Sequence, residues 1–217
     1  MRKPNNILEM DVRDELSWDP WLDDSQISVK ADDGRVTLTG AVATYADSVE
    51  ATDDAWSVSG VTLVDNELLV GPLAETLVDA DVAARCRDAL DAERFVPKGA
   101  VSVDVLDARV TLNGHVRRHF QRQAAEFAVQ RVKGVRGITD NIVISGDPIP
   151  SDVADSINKA LARKAVLGDS VIQVTNTGGT IYLDGTTDSY AAMQAALDTA
   201  WAAPGVTDVV NRIVVVP

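Results

Sequence analysis

Val36-Thr37-Leu38-Thr39-Gly40, Val110-Thr111-Leu112-Asn113-Gly114 and Ile181-Tyr182-Leu183-Asp184-Gly185 are one five-residue phrase written three times, at offsets of 74 and then 71 residues. The same offsets carry Gly60-Val61 onto Gly134-Val135 and Gly205-Val206. They also carry Leu8, Val12 and Leu16 onto Val82, Cys86 and Leu90, and then onto Val153, Ile157 and Leu161. Self-similarity at a fixed period marks tandem units rather than one large core. Three small domains are therefore expected, at 1–73, 74–146 and 147–217.

Reading outward from the phrase gives the unit its elements. Upstream, apolar residues four apart (Leu8, Val12, Leu16) mark one face of a helix. Asp79 and Ser151 are expected to cap the corresponding helices of the later copies. Alternation follows in Ile27-Ser28-Val29 and Val101-Ser102-Val103, then a turn such as Asp32-Asp33-Gly34 or Asn176-Thr177-Gly178-Gly179, then the repeated phrase itself. That is a β-hairpin. A second helix is expected over roughly 45–58, 119–132 and 190–203, ending at a glycine. A closing strand brings Leu68/Val70, Ile142/Ile144 and Ile213/Val215 inward. The fold class is α+β: three tandem αββαβ units, each a three-stranded mixed sheet packed against two helices.

Seven positions are identical in all three copies: Leu16, Val29, Leu38, Gly40, Ala51, Gly60, Val61 and their counterparts. None of these side chains can act as acid, base or nucleophile. Gly40, Gly60, Gly114, Gly134, Gly185 and Gly205 read as structural, allowing a backbone angle or an approach that a Cβ would block. Two departures concern turns. Ala108 replaces the hairpin glycine, with Asp107 expected to take the positive φ, and Pro204 precedes Gly205.

The succession of helix, Val-Thr-Leu-x-Gly strand, alanine-rich helix and Gly-Val before a closing strand resembles the BON domain, named for bacterial OsmY and nodulation proteins. Trp18-Asp19-Pro20, Asp33-Gly34-Arg35-Val36-Thr37-Leu38-Thr39-Gly40 and Thr44-Tyr45-Ala46 carry the resemblance in the first copy. Gln121-Arg122-Gln123-Ala124-Ala125-Glu126 and Gly134-Val135-Arg136-Gly137-Ile138 carry it in the second, which looks OsmY-like. The resemblance covers nearly the whole chain three times. It implies a transport- or stress-associated, non-enzymatic protein that binds anionic phospholipid or another hydrophobic surface, or an envelope protein. It transfers no catalytic residue, metal or cofactor.

Composition narrows the partners. With 46% hydrophobic and 24% charged residues the chain is an ordinary globular protein, and no apolar run is long enough to span a bilayer. The formal charge of −13 argues against nucleic acid, which needs a basic surface to displace phosphate counterions. That charge is uneven: residues 1–73, 74–146 and 147–217 carry −10, +1 and −4. No export segment follows Met1, so a cytoplasmic setting is expected from the residues as they stand, and an envelope setting if a leader was removed. Cys86 is a lone cysteine, aligned with Val12 and Ile157, and reads as a small core hydrophobe.

The candidate binding residues gather in the middle unit. Arg117, Arg118, His119 and Arg122 begin its second helix, and Arg131, Lys133 and Arg136 close it, with nothing comparable in the other copies. Arginine forks suit phosphate and carboxylate alike. His115 and His119 lack the further ligands that a metal needs. Trp56 and Trp201 occupy one position of the second helix and are expected to make a contact, within the chain, in a homo-oligomer or with a partner. Trp21, aligned with Phe95 and Val166, is expected in the core; Asp23-Asp24, Asp32-Asp33 and Asp53-Asp54 are expected on solvated faces. Asn66, Asp140 and Asn211 are expected to make structural hydrogen bonds. Two functions stay open: a protein that binds anionic lipid, and a protein–protein scaffold without lipid affinity.

Overall fold

The computed structural model describes residues 3–71, 78–146, 148–168 and 170–216. The expected junctions at 73/74 and 146/147 fall on or beside residues 72–77 and 147, outside the described residues, as does residue 217. The first copy runs α1 (Asn5–Trp18), β1 (Ile27–Asp32), β2 (Arg35–Val42), α2 (Tyr45–Ser57) and β3 (Leu63–Val70). The second runs α3 (Asp79–Ala92), β4 (Val101–Leu106), β5 (Arg109–Val116), α4 (His119–Gln130) and β6 (Gly137–Ile144). The third runs α5 (Val153–Leu161), a 3₁₀ turn (Ala165–Leu167), β7 (Val171–Thr177), β8 (Thr180–Thr187), α6 (Tyr190–Trp201) and β9 (Asp208–Val215). The expected αββαβ order holds three times.

Each copy keeps its own three-stranded sheet, in the orders β1-β2-β3, β4-β5-β6 and β7-β8-β9. In copy one, β1 and β2 form an antiparallel hairpin with Val29 opposite Leu38, and β3 joins β2 in parallel with Asn66 opposite Leu38. Copy three repeats both pairings, with Val174 opposite Leu183 and Leu183 opposite Asn211. A parallel neighbour needs a crossover, which the second helix supplies. Its burial drives the packing: Ala51, Ala125 and Ala196 are fully buried, small enough to let helix and sheet approach.

By packing density the chain falls into two compact units, Met1–Glu93 with Ser102–Leu112 and Glu126–Asp140, and Arg94–Val101 with Asn113–Ala125 and Asn141–Pro217. Copy one lies in the first and copy three in the second; the middle copy contributes to both. In copy one Leu8, Val12, Leu16, Val29, Val36, Leu38 and Val61 form the core. In copy three Val153, Ile157, Leu161, Ile181, Leu183 and Val206 do so. Cys86 is fully buried and its thiol is pushed up to about 11 by burial, in keeping with the core reading.

Three expectations are corrected. Trp21 is 87% exposed, and its equivalents Phe95 and Val166 are exposed too. The neighbouring Leu22, Val96 and Leu167 are buried in their place. The loop after the first helix has no periodicity to say which of two adjacent apolar residues points inward. Asp79 is the first residue of α3 rather than its cap; its carboxylate accepts from the Asp107 and Ala108 amides at 2.9 Å each. Asn5, at the same position in copy one, accepts from the Asp33 amide at 3.0 Å. The first helix is thus tied to the hairpin tip. Asp152, not Ser151, precedes α5, and it makes no side-chain cap.

The hairpin turns themselves share one conformation. Asp33/Gly34, Asp107/Ala108 and Gly178/Gly179 all have positive φ, so Ala108 and Asp107 both adopt it. A Cβ at Gly34 or Gly179 would lie 2.8 or 2.9 Å from the hydroxyl of Thr62 or Thr207. In the middle copy that threonine is replaced by Arg136, whose amide donates to the Ala108 carbonyl at 2.9 Å. Arginine carries no hydroxyl or branch at its Cβ, so the group that crowds Gly34 and Gly179 has no counterpart beside Ala108.

Candidate functional site

The start of α4 is built by its own sequence. Gln121 reaches back so that its Oε1 accepts from the Arg117 and Arg118 amides, at 3.0 and 3.1 Å. Asp47 does the same for Thr44 in copy one, at 2.8 Å, as half of a capping box. The central glutamine of the basic run therefore caps the start of a helix. Arg117 is exposed, while Arg118, His119 and Arg122 are half-buried.

Beside these cations lies an aromatic pair. The Phe95 and Phe120 rings meet edge to face, with centroids 5.9 Å apart, and remain 46% and 52% exposed. The guanidinium of Arg94 sits 4.4 Å from the Phe95 centroid. Two half-exposed phenylalanines next to guanidinium groups make an amphipathic patch, the kind of surface that costs free energy unless something covers it. Sequence reading found the arginines and missed the phenylalanines; the exposed Phe95 was hidden by the wrong inward assignment of Trp21, and Phe120 by the alanines that align with it.

Next to the patch, His119 stacks on Trp201, with ring centroids 3.9 Å apart and planes 9° from parallel. Trp201 thus makes a contact within the chain, holding the start of α4 against the end of α6. Arg118, His119, Phe120 and Gln123 with Asp198, Trp201 and Ala202 surround a cavity of about 500 Å³ there. In the other unit the equivalent ends meet: Thr44, Ala46, Asp47 and Glu50 line a cavity of about 450 Å³ with Arg131 and Trp21. The Tyr45 hydroxyl, equivalent to His119, is shifted upward by burial and then by Glu126, with Arg109 pulling the other way. Trp56 is half-buried and packs on the core of copy one.

Arg117, Arg118, His119 and Arg122 stand at the start of α4, whereas Arg131, Lys133 and Arg136 stand at or beyond the end of a twelve-residue helix that rises about 1.5 Å per residue. Arg131 lies 4.0 Å from the Phe127 centroid, and the Lys133 carbonyl accepts from Arg85 at 3.1 Å. The structural glycines behave as the repeat demands. At Gly40, Gly114 and Gly185 a Cβ would sit 1.9 to 2.1 Å from the carbonyl oxygen of Gln26, Ala100 or Val171. Gly60, Gly134 and Gly205 adopt positive φ after the second helix. Asn66 donates to the Ser48 carbonyl and hydroxyl, both at 2.9 Å, and accepts from the Leu68 amide, the expected structural role. Asn211 accepts from the Ile213 amide in the same way, at 2.9 Å.

A model of the BON domain matches residues 4–72, 78–146 and 151–217. The chain belongs to the BON domain family. Among curated proteins it is similar to the osmotically-inducible protein Y of Escherichia coli, 33% identical over 123 residues that cover 54% of this chain and 61% of that protein. The chain thus spans less than two thirds of that BON relative. It is also similar to an uncharacterized protein in the gshII 5' region of Anaplasma centrale, 28% identical over 118 residues covering 52% of this chain and 78% of that one. Among solved structures, CdsD, a structural protein of the type III secretion system of Chlamydia trachomatis, aligns at 17% identity over 97% of this chain and 93% of that one. Its TM-score of 0.26 is too low for an argument from fold. The chain carries three tandem BON domains, and no described helix is long and apolar enough to cross a membrane.

Proposed function

We propose that this BON protein is a non-enzymatic binding protein whose middle domain docks on an anionic phospholipid surface through the start of α4. The observation that carries the reading is the exposed Phe95–Phe120 pair beside Arg94, Arg117 and Arg118. Phenylalanine rings partition into the interface between headgroups and acyl chains, and each juxtaposed guanidinium adds about 1 kcal/mol near an anionic surface. The acidic first domain opposes the approach, to an extent that salt reduces by screening charges beyond about 8 Å at physiological ionic strength. The domain bounds 1–73, 74–146 and 147–217 belong to the same proposal, each copy folding around its own sheet.

Sedimentation with vesicles of graded anionic content tests it. The wild type is expected to co-sediment at low salt and to be released at high salt. Replacing Arg117, Arg118 and Arg122 together by Gln is expected to abolish binding, and Phe120→Ala to weaken it, with melting nearly unchanged. A wild type that ignores anionic vesicles at low salt refutes the lipid reading. A protein partner then leads, and one observation favours it: Trp18 and Trp21 are 83% and 87% exposed on the most acidic domain, a surface that suits a polypeptide better than an anionic membrane.

A further inference from the structure

The end of α1 meets the end of α2 in copy one through carboxylates. Asp19, Glu50 and Asp54 each place a carboxylate oxygen within 4.8 Å of the others. Asp19 Oδ2 and Asp54 Oδ2 are buried and have no hydrogen-bond partner, although Asp19 Oδ1 accepts from the Trp21 amide at 2.8 Å. This arrangement belongs to copy one alone. Where it has Glu15, Glu50 and Asp54, the middle copy has Ala89, Ala124 and Ala128, and the third has Ala160, Ala195 and Thr199. In the third copy the corresponding crevice is a cavity of about 330 Å³, bordered by Ala160, Lys164 and Thr199. At the Asp19 position the other copies have Glu93 and Lys164, so the αββαβ fold closes without the triad, and three carboxylates together work against packing, since like charges at this spacing repel and buried ones lose water.

We propose that this crevice is a proton-operated clasp: a proton held on Asp54, facing Asp19 and Glu50, keeps α1 against α2, and its loss as pH rises loosens the first domain. Protonation removes one of three clustered charges and turns an acceptor into a donor. The Asp54 carboxyl is pushed up to about 7, first by burial and then by Asp19, Glu50, Glu15 and Asp53, so every charged group acting on it is acidic. Asp53 is itself raised by burial. The sheet strands packed on α2 bring Arg35 and Asp65, paired with each other at 3.2 Å, and Glu67; none of them shifts Asp54. A carboxyl whose folded value lies above its unfolded one holds the proton more tightly when folded. Its stabilisation is complete below about pH 4 and is lost as pH rises to about 7.

Hydrogen exchange of the full chain, read as protection factors over residues 45–57, tests the clasp. From pH 6 to pH 8 the opening equilibrium of α2 is expected to rise by up to about tenfold, the linkage value for a group moving from about 3.8 to about 7. Over 190–201 in copy three it is expected to stay level. Asp54→Asn keeps the shape and removes the charge; Asp54→Ala copies the middle domain. Both are expected to flatten the pH dependence. Three results overturn the proposal: protection over 45–57 that does not change with pH in the wild type, variants that keep the wild-type slope, or protection at pH 8 that magnesium or calcium restores and a chelator removes.

Discussion

Adding one methyl group at Gly40 puts the repeat's defining phrase to the test. The backbone there has φ of +121°, and a Cβ would lie 1.9 Å from the Gln26 carbonyl oxygen and 3.1 Å from its carbon. Ordinary contact begins near 3.4 Å, so the first strand would have to retreat by about 1.5 Å. That retreat pulls apart the Ile27–Gly40 pairing and the bond from the Ala41 amide to the Gln26 carbonyl. Gly60 supplies the control within the same domain: its φ is +100°, but a Cβ would meet nothing closer than Lys3 Cδ at 3.5 Å. Gly60→Ala is expected to cost only the left-handed backbone term, about 1–2 kcal/mol. Gly40→Ala adds the clash and the lost ladder bond and is expected to cost about 4 kcal/mol or more. Urea unfolding followed by tryptophan fluorescence reports on the right domain, because Trp18, Trp21 and Trp56 lie in copy one and only Trp201 lies elsewhere. If the two alanine variants fall within about 0.5 kcal/mol of each other, the close-approach account of the repeated glycine is wrong.

Leu22→Ala is expected to destabilise the first domain by about 2–4 kcal/mol and Trp21→Ala by less than about 1, measured by the same unfolding curves, because Leu22 is the buried member of the pair. Asp79→Ala leaves the Asp107 and Ala108 amides unpaired at a turn with two positive φ values, so a loss of about 1–2 kcal/mol is expected in the thermal melt. The Cys86 thiol, fully buried and pushed up to about 11, is expected to resist a thiol reagent at pH 8 until denaturant is added; labelling of the native protein at a free-thiol rate contradicts its place in the core.

The three-fold phrase, the glycine after each second helix and the four-residue apolar spacing of each first helix were enough to determine the number of domains, their element order and most of their cores. These features are local. Backbone angle and side-chain period act within a few residues, and comparison among three copies cancels what is particular to each. The basic run at 117–122 was legible for the same reason, since charge needs no fold to be counted. What the chain brings together from afar was not legible. Whether Trp21 or Leu22 faces inward depends on where an irregular loop lands, so the exposed Phe95–Phe120 pair emerged only with the tertiary structure. Asp79 could be read as a helix-starting residue, but its carboxylate is spent on amides nearly thirty residues away. Asp53-Asp54 looks like any solvated acidic pair until α1 delivers Glu15 and Asp19 to the same crevice and removes the water that would have kept the charges apart.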